Sequence, residues 1–439
     1  MSELLDAVRQ GASPAELLEC ELPTRFRAAY TLRDEVGVFQ GEADKDVRRS
    51  IHIGEVEMPE LAPDEVVVAV MAAAVNFNSV WTAIFEPVPT FVFLERLART
   101  GRWGARHDLP YHILGSDAAG VVVRVGESVR RFKVGDKVVV SACAVDEQDP
   151  AVHDDGLLGE DALAWGFETN FGAFGQFAVV KASQLIKKPA HLSWEEAAAN
   201  TLCAATAYRM LIGRHGARMK LGDIVLIWGA AGGLGSYAVQ LVKNAGGIPV
   251  AVVSSEEKAE LVRRQGCEHV LNRSEIDFGE HGLSHPKGWR RLGEEIRRLV
   301  GEDPHIVFEY LGRETFGASV YVARRGGRIV TCGSSTGYRH EYDNRYLWMN
   351  VKSIVGSHGF NYTEAVEVNR LFSLGLLHPT LSRVYPMEQT GEAVRSVQTN
   401  RHVGKVGILI GATAEHQGID DPALRERFGE EKITLYRGR

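Results

Sequence analysis

DIVLIWGAAGGLGSYAVQLVKNAGG, residues 223–247, is the stretch on which the fold turns. The apolar run through Ile224–Ile227 has the length of a buried strand. It leads into Gly229, Ala230, Ala231, Gly232, Gly233, Leu234 and Gly235, and then into a helical stretch that ends at Gly246 and Gly247. Glycines between a strand and a helix let the backbone approach a pyrophosphate, and the free N–H groups of the helix start hold the anion. The spacing is not a strict G-x-G-x-x-G, so a turn serving only helix–sheet packing stays open. The next strand, IPVAVVSS (248–255), supplies the strand–helix–strand context that favours a dinucleotide. That strand ends in Ser254 and Ser255, with Lys258 a turn further on. A coenzyme without a 2′-phosphate favours Asp or Glu there, whereas hydroxyls and an ammonium suit the phosphate. Arg273, after the following strand, is a further candidate partner, and the set predicts NADPH. Glu256 and Glu257 keep open a plainer reading of Lys258 as a solvated helix residue.

Outward from this stretch the strand–helix rhythm continues. EEKAELVRRQG (256–266) reads as a helix, and HVLNR, HIVFEY, GRIVTCG and KSIVGSH (to residue 358) each supply a strand. Such alternation predicts an α/β domain with a doubly wound parallel sheet, assigned to 201–357. Upstream, EVVVAVMAAAV (65–75), AAGVVVRVG (118–126), DKVVVSA (136–142) and AFGQFAVVKA (173–182) are short, closely spaced strands, which suggest a partly open β-barrel. The barrel domain is placed at 1–200, with residues 1 to about 40 as a helical extension. Residues 194–211 read as one helix capped by Ser193. Residues 358–439 read as a helix, a strand returning to the first domain (402–410), and a polar surface tail or subunit contact.

Composition bounds the function. The 439 residues carry a net charge of -7, which argues against nucleic-acid binding over the whole surface. No apolar run is long enough to span a membrane and no secretory signal is visible, so no membrane role is expected. Cys20, Cys143, Cys203, Cys267 and Cys332 are scattered, without a C-x-x-C pair. Neither a disulfide framework nor a structural zinc site is expected, which fits a reducing cytoplasm.

WGFETN (165–170) sets Glu168 among Trp165, Phe167 and Phe171. The barrel with its inserted nucleotide sheet resembles the medium-chain dehydrogenase/reductase superfamily, which implies a GroES-like substrate domain and a Rossmann domain. Zinc members carry a G-H-E motif. The matching LGSDAAG (114–120) has Ser116 and Asp117 instead, so no metal is expected. VNFNSVWTAIFEP (75–87), YHILGSDAAGVVVRVG (111–126), WGFETNFG (165–172), WGAAGGLGSYAVQL (228–241), NRYLWM (344–349) and GSHGFNYTEA (356–365) resemble the crotonyl-CoA carboxylase/reductases over nearly the whole chain. The resemblance implies hydride transfer from NADPH to the β carbon of a 2-enoyl-CoA and attack of the resulting enolate on carbon dioxide. The product is a (2S)-alkylmalonyl-CoA, a type of polyketide extender unit.

By motif, the resemblance places Asn78, Phe167, Glu168 and His358 in a carbon dioxide pocket. Asn78 and His358 are expected to donate to its oxygens. Glu168 is expected to orient its neighbours, with ionised and protonated forms both open. Arg345 and Tyr346, with Arg325, are expected toward the coenzyme A nucleotide, although Arg325 also reads as a basic surface turn. Two positions depart from the family pattern: Phe77 stands for a usual Tyr, and Gly359 for a large aromatic residue. Gly359 predicts room for longer, branched or aromatic acyl chains. The alternative is a glycine required by its backbone angles, with Phe360 filling the gap. The family implies a homotetramer, a dimer of dimers. An enoyl-CoA reductase that only protonates the enolate, and a non-catalytic nucleotide-binding redox sensor, are the competing readings.

Overall fold

The computed structural model describes residues 2–280 and 282–438. Its centre is the strand Glu65–Val75, buried along its whole length. One edge of that strand pairs antiparallel with Ala118–Val125; the other pairs first with Phe177–Lys181 and then with Lys405–Leu409. Lys137–Val140 and Leu185–Lys187 extend one side, and Leu381–Pro386 extends the other, giving the partly open barrel. Its interior is filled by Val, Ala and Phe side chains, among them Phe174 and Ala178.

The second sheet has six parallel strands in the order His269–Asn272, Ile248–Val253, Ile224–Ile227, Ile306–Glu309, Arg328–Thr331, Ser353–Gly356. The order reverses direction between the first and fourth strands of the domain in sequence, and a crevice for a dinucleotide forms at such a point. Ile224, Val225, Leu226 and Ile227 are all buried, as a strand covered by helices on both faces must be.

Three expectations need correction. The N-terminal segment is not helical throughout: after the short helices Glu3–Arg9 and Pro14–Glu19, residues Arg25–Leu32 form a strand. It pairs with His52–Glu57 and Tyr111–Ile113, so distant partners decide its state. The helix over 194–211 is broken into Trp194–Ala198 and Thr201–Leu211. Ser193 does cap the first in a capping box with Glu196, but the second begins where Asp117 Oδ1 accepts the Leu202 N–H at 2.9 Å. The C-terminal tail is docked: Ile433 and Tyr436 are buried and Arg425 is 6% exposed.

Candidate active site

A cleft of about 550 Å³ runs between the two sheets. Of the residues predicted for the coenzyme, Gly229, Gly232, Gly233 and Leu234 line it. So do Ser254, Lys258 and Arg273 at its far end. Gly229 has a φ of 57°, and a Cβ there would lie 2.4 Å from the Tyr310 hydroxyl, which donates to the Gly229 carbonyl at 2.8 Å. The helix Gly233–Asn244 starts at this loop and directs its N–H groups into the cleft. Gly235 does not line the cleft. It lets the helix pack on the loop, since a Cβ would lie 2.5 Å from the Gly229 carbonyl oxygen. Ser255 is likewise structural: it caps Glu256–Arg264 by accepting the Lys258 N–H. The Lys258 ammonium donates to Ser254 Oγ at 3.4 Å. Burial and nearby Arg273 lower its pKa.

Asn78, Phe167, His358 and Gly359 line the same cleft, although 280 residues separate the first from His358. Asn78 sits in the first turn of the helix Phe77–Ile84. Phe77 packs edge-on to Trp81, ring centres 5.4 Å apart. Glu168 lies beside the wall without lining it: its Oε2 accepts the Ala164 N–H at 2.8 Å. Ala164 and Phe167 line the cleft on either side of that tie. The strand Ser353–Gly356 ends just before exposed His358. Gly359 has a φ of 47°, yet a Cβ there would meet nothing within 4 Å. Phe360 is buried and also lines the cleft. Both explanations of this glycine therefore have a physical basis.

Arg345, Tyr346 and Arg325 are not among the lining residues. Arg345 is exposed and held by Asp343, Tyr346 packs edge-on to Tyr321 with ring centres 4.8 Å apart, and Arg325 is exposed.

Sequence reading missed a buried polar cluster behind the cleft. The Lys405 ammonium donates to the Val75 carbonyl at 2.9 Å, to Asn76 Oδ1 at 2.5 Å and to Asp117 Oδ2 at 3.2 Å. Burial raises the Asp117 pKa, although Lys405 and the Asn76 amide pull it down. A lysine inside the apolar strand KVGIL, and a carboxylate at the G-S-D position, were the available signals. This cluster also joins the halves of the molecule: the Gly404 N–H donates to the Ala231 carbonyl of the glycine loop at 2.7 Å. It does not fit zinc. The Ser116 hydroxyl accepts from Asn78, Asp117 is engaged by Lys405, and the described residues contain no cluster of three or more His, Cys, Asp or Glu able to hold a metal.

These features define a medium-chain dehydrogenase/reductase. Residues 62–190 match the alcohol dehydrogenase GroES-like domain, and residues 233–373 match the zinc-binding dehydrogenase family. The chain is 52% identical to a crotonyl-CoA reductase of Streptomyces collinus over 97% of each chain. It is 39% identical to a crotonyl-CoA carboxylase/reductase of Cereibacter sphaeroides over 85% of each. A solved 2-octenoyl-CoA carboxylase reductase, CinF, in complex with NADP and 2-octenoyl-CoA, superposes with a TM-score of 0.97 at 56% identity, covering 100% of this chain and 99% of that one. The ligand-free form of that enzyme, from a Streptomyces species, gives 0.94 at 55% identity and the same coverage. The chain belongs to the crotonyl-CoA reductase and carboxylase/reductase family.

Proposed function

We propose that this chain reductively carboxylates 2-enoyl-CoA esters with NADPH. Bound NADPH supplies hydride to the β carbon of the substrate, and the cleft wall governs what the α carbon meets next. The observation that carries the reading is convergence: Asn78, Phe167 and His358 line one cleft with the glycine loop. In this reading N–H donors from Asn78 and His358 meet charge as it develops on a new carboxylate, where preorganised donors act most strongly. Each contributes roughly 0.5–1.5 kcal/mol net. A 99:1 preference for carboxylation over protonation needs about 2.7 kcal/mol in barrier height. Phe167, packed against Phe93 with ring centres 6.0 Å apart, excludes water and makes up the balance. Glu168 acts on this wall indirectly, by tying residue 168 to Ala164.

The decisive experiment supplies 2-octenoyl-CoA, NADPH and ¹³C-bicarbonate to the full-length enzyme and weighs the thioester formed. Incorporated label supports carboxylation. Unlabelled octanoyl-CoA alone supports the plain reductase reading, which draws weight from the relatives named crotonyl-CoA reductase. A Glu168→Ala variant is expected to keep oxidising NADPH while yielding a larger share of saturated product; an unchanged share removes Glu168 from any role in carboxylation.

The acyl site extends past Gly359 and suits chains longer than crotonyl. Larger alkylmalonyl products of this kind serve as polyketide extender units. The edge of the six-stranded sheet formed by Ser353–Gly356, with Trp348, Met349 and Val351 exposed close by, is the surface through which we expect copies to pair toward a tetramer. The five cysteines are free, which supports a reducing, cytoplasmic setting; no described helix is long and apolar enough to cross a membrane. Residues 1–200, 201–357 and 358–439 remain our division of the chain.

A further inference from the structure

Asn76 and Asn78 are anchored in a way that the reaction scheme above leaves unexplained. Asn76 occupies the N-cap position of Phe77–Ile84, but its side chain makes no cap bond. Its Nδ2 donates instead to Asp117 Oδ2 at 2.9 Å, while Asn78 Nδ2 donates to Ser116 Oγ at 2.8 Å. Two asparagines, two residues apart, are thus gripped by two adjacent residues, both fully buried. Ser116 and Asp117 stand where zinc members of the superfamily place His and Glu. A pair matching metal-site positions here serves as a clamp on the helix that presents Asn78. The clamp holds one end of the Asn78 amide; the other polar atom, Oδ1, is buried without a partner among the described residues.

We infer that Ser116 is a positioning residue for Asn78, fixing the rotation of its amide for the carboxylation step. This inference rests on the carboxylation reading above. The terminal torsion of an Asn side chain is broad and roughly two-fold, so an unanchored amide interchanges its donor and acceptor ends. The two ends act oppositely on a developing carboxylate: NH₂ stabilises it and C=O repels it. Ser116 accepts one of the two N–H bonds of Asn78 Nδ2, which leaves the second to meet the new carboxylate. This is the orientation we assign to the reacting complex. Substitution of Ser116 removes the anchor while the Asn78 side chain itself stays in place.

The test uses full-length Ser116→Ala and Ser116→Cys enzymes with 2-octenoyl-CoA, NADPH and ¹³C-bicarbonate. It reads the ratio of carboxylated to reduced product, the KM for carbon dioxide and the thermal midpoint. The Ala variant is expected to lower the product ratio by about tenfold, the loss of one oriented charge-assisted hydrogen bond. Its KM for carbon dioxide should rise, and Cys, a weaker partner of the same shape, should fall between. Ser116→Ala added to Asn78→Ala should change the ratio no further, because the anchor then has nothing to orient. A wild-type ratio in Ser116→Ala overturns the inference, as does an equal loss of both products at constant ratio. Should the Ala variant fail to fold, the Cys variant decides, and a wild-type ratio there overturns it. Absence of label in the wild-type product, seen before any variant is measured, defeats the carboxylation reading itself and this inference with it.

Discussion

Position 359 sets backbone against side chain. A φ of 47° lies in the left-handed region, so any residue with a Cβ pays roughly 1–2 kcal/mol there. The space around a Cβ at this position is open, so no neighbour within 4 Å opposes a side chain there. Gly359→Phe is expected to lose its preference for 2-octenoyl-CoA over crotonyl-CoA by about 100-fold in kcat/KM, because several buried methylenes at about 0.8 kcal/mol each lose their place. Gly359→Ala carries the same backbone cost without filling the space. It should match the Phe variant in thermal midpoint and the wild type in chain-length preference. An unmoved preference in the Phe variant means the glycine serves its backbone alone. Lys258 belongs to the same scale. If its ammonium meets the 2′-phosphate, Lys258→Ala should lower kcat/KM for NADPH about 10–100-fold, the range of a lost hydrogen bond to a charged group. Activity with NADH should change little, and an equal fall with both coenzymes would place the lysine elsewhere.

The loop over residues 165–171 is held by groups that no local pattern announced. Asn170 Oδ1 accepts the N–H groups of Ile113 and Phe171, and its Nδ2 donates to the Tyr111 carbonyl at 2.8 Å. His112 Nε2 lies 3.1 Å from the Thr169 carbonyl and Nδ1 lies 2.8 Å from Thr90 Oγ1. Burial pushes the His112 pKa down to about 4, against a smaller upward pull from Thr169. The fold therefore keeps this ring neutral at pH values where the unfolded chain, with an ordinary histidine pKa of about 6.5, binds a proton. The stabilisation is complete above pH 6.5 and is lost as pH falls toward 4, by ~3 kcal/mol at most. Unfolding midpoints of wild type should fall between pH 6.5 and 4.5, and His112→Gln should show a shallower fall; an identical slope would show that this proton is not linked to unfolding. The sequence made the six parallel strands readable because each is a short apolar run between helical periods. It made the Asn78, Phe167 and His358 segments readable through long motifs. Arg25–Leu32 was not readable, because its alternation is irregular and its pairing partners lie 22 to 83 residues away. The break at Ala199–Asn200 depends on Asp117, which no helical pattern reports. Ser255 and Gly235 were recognised by position, but only the packing separates a cap and a close approach from a ligand contact.

At the scale of the molecule, the C-terminal tail fastens both halves. Tyr436 donates to Gln265 Oε1 at 3.1 Å beside the coenzyme half. Arg425 reaches the barrel half, where its guanidinium donates to both oxygens of fully buried Glu196 at 2.6 and 3.0 Å. The same guanidinium donates to Glu430 at 2.5 and 2.7 Å and to the His191 carbonyl at 3.2 Å. Burial alone would raise the Glu196 pKa, and Arg425 together with the Ser193 N–H and Arg437 more than offsets this, so the carboxylate is held below its ordinary value. Taking both charges out of water costs about as much as their attraction returns, so the pair is a weak source of net stability. Removing one partner is different, because it strands the other. Arg425→Met should destabilise the chain by about 3–5 kcal/mol, since among the described ion pairs Glu196 would keep only the longer one to Arg437, 3.6 Å away. Arg425→Met combined with Glu196→Met replaces both charges with apolar volume and should recover most of that loss. Urea unfolding of the full chain at pH 7, followed by tryptophan fluorescence, measures the three proteins, with Trp194 next to the tail reporting on this region. If the double variant is as unstable as the single one, packing of the tail rather than the stranded charge holds the two halves together.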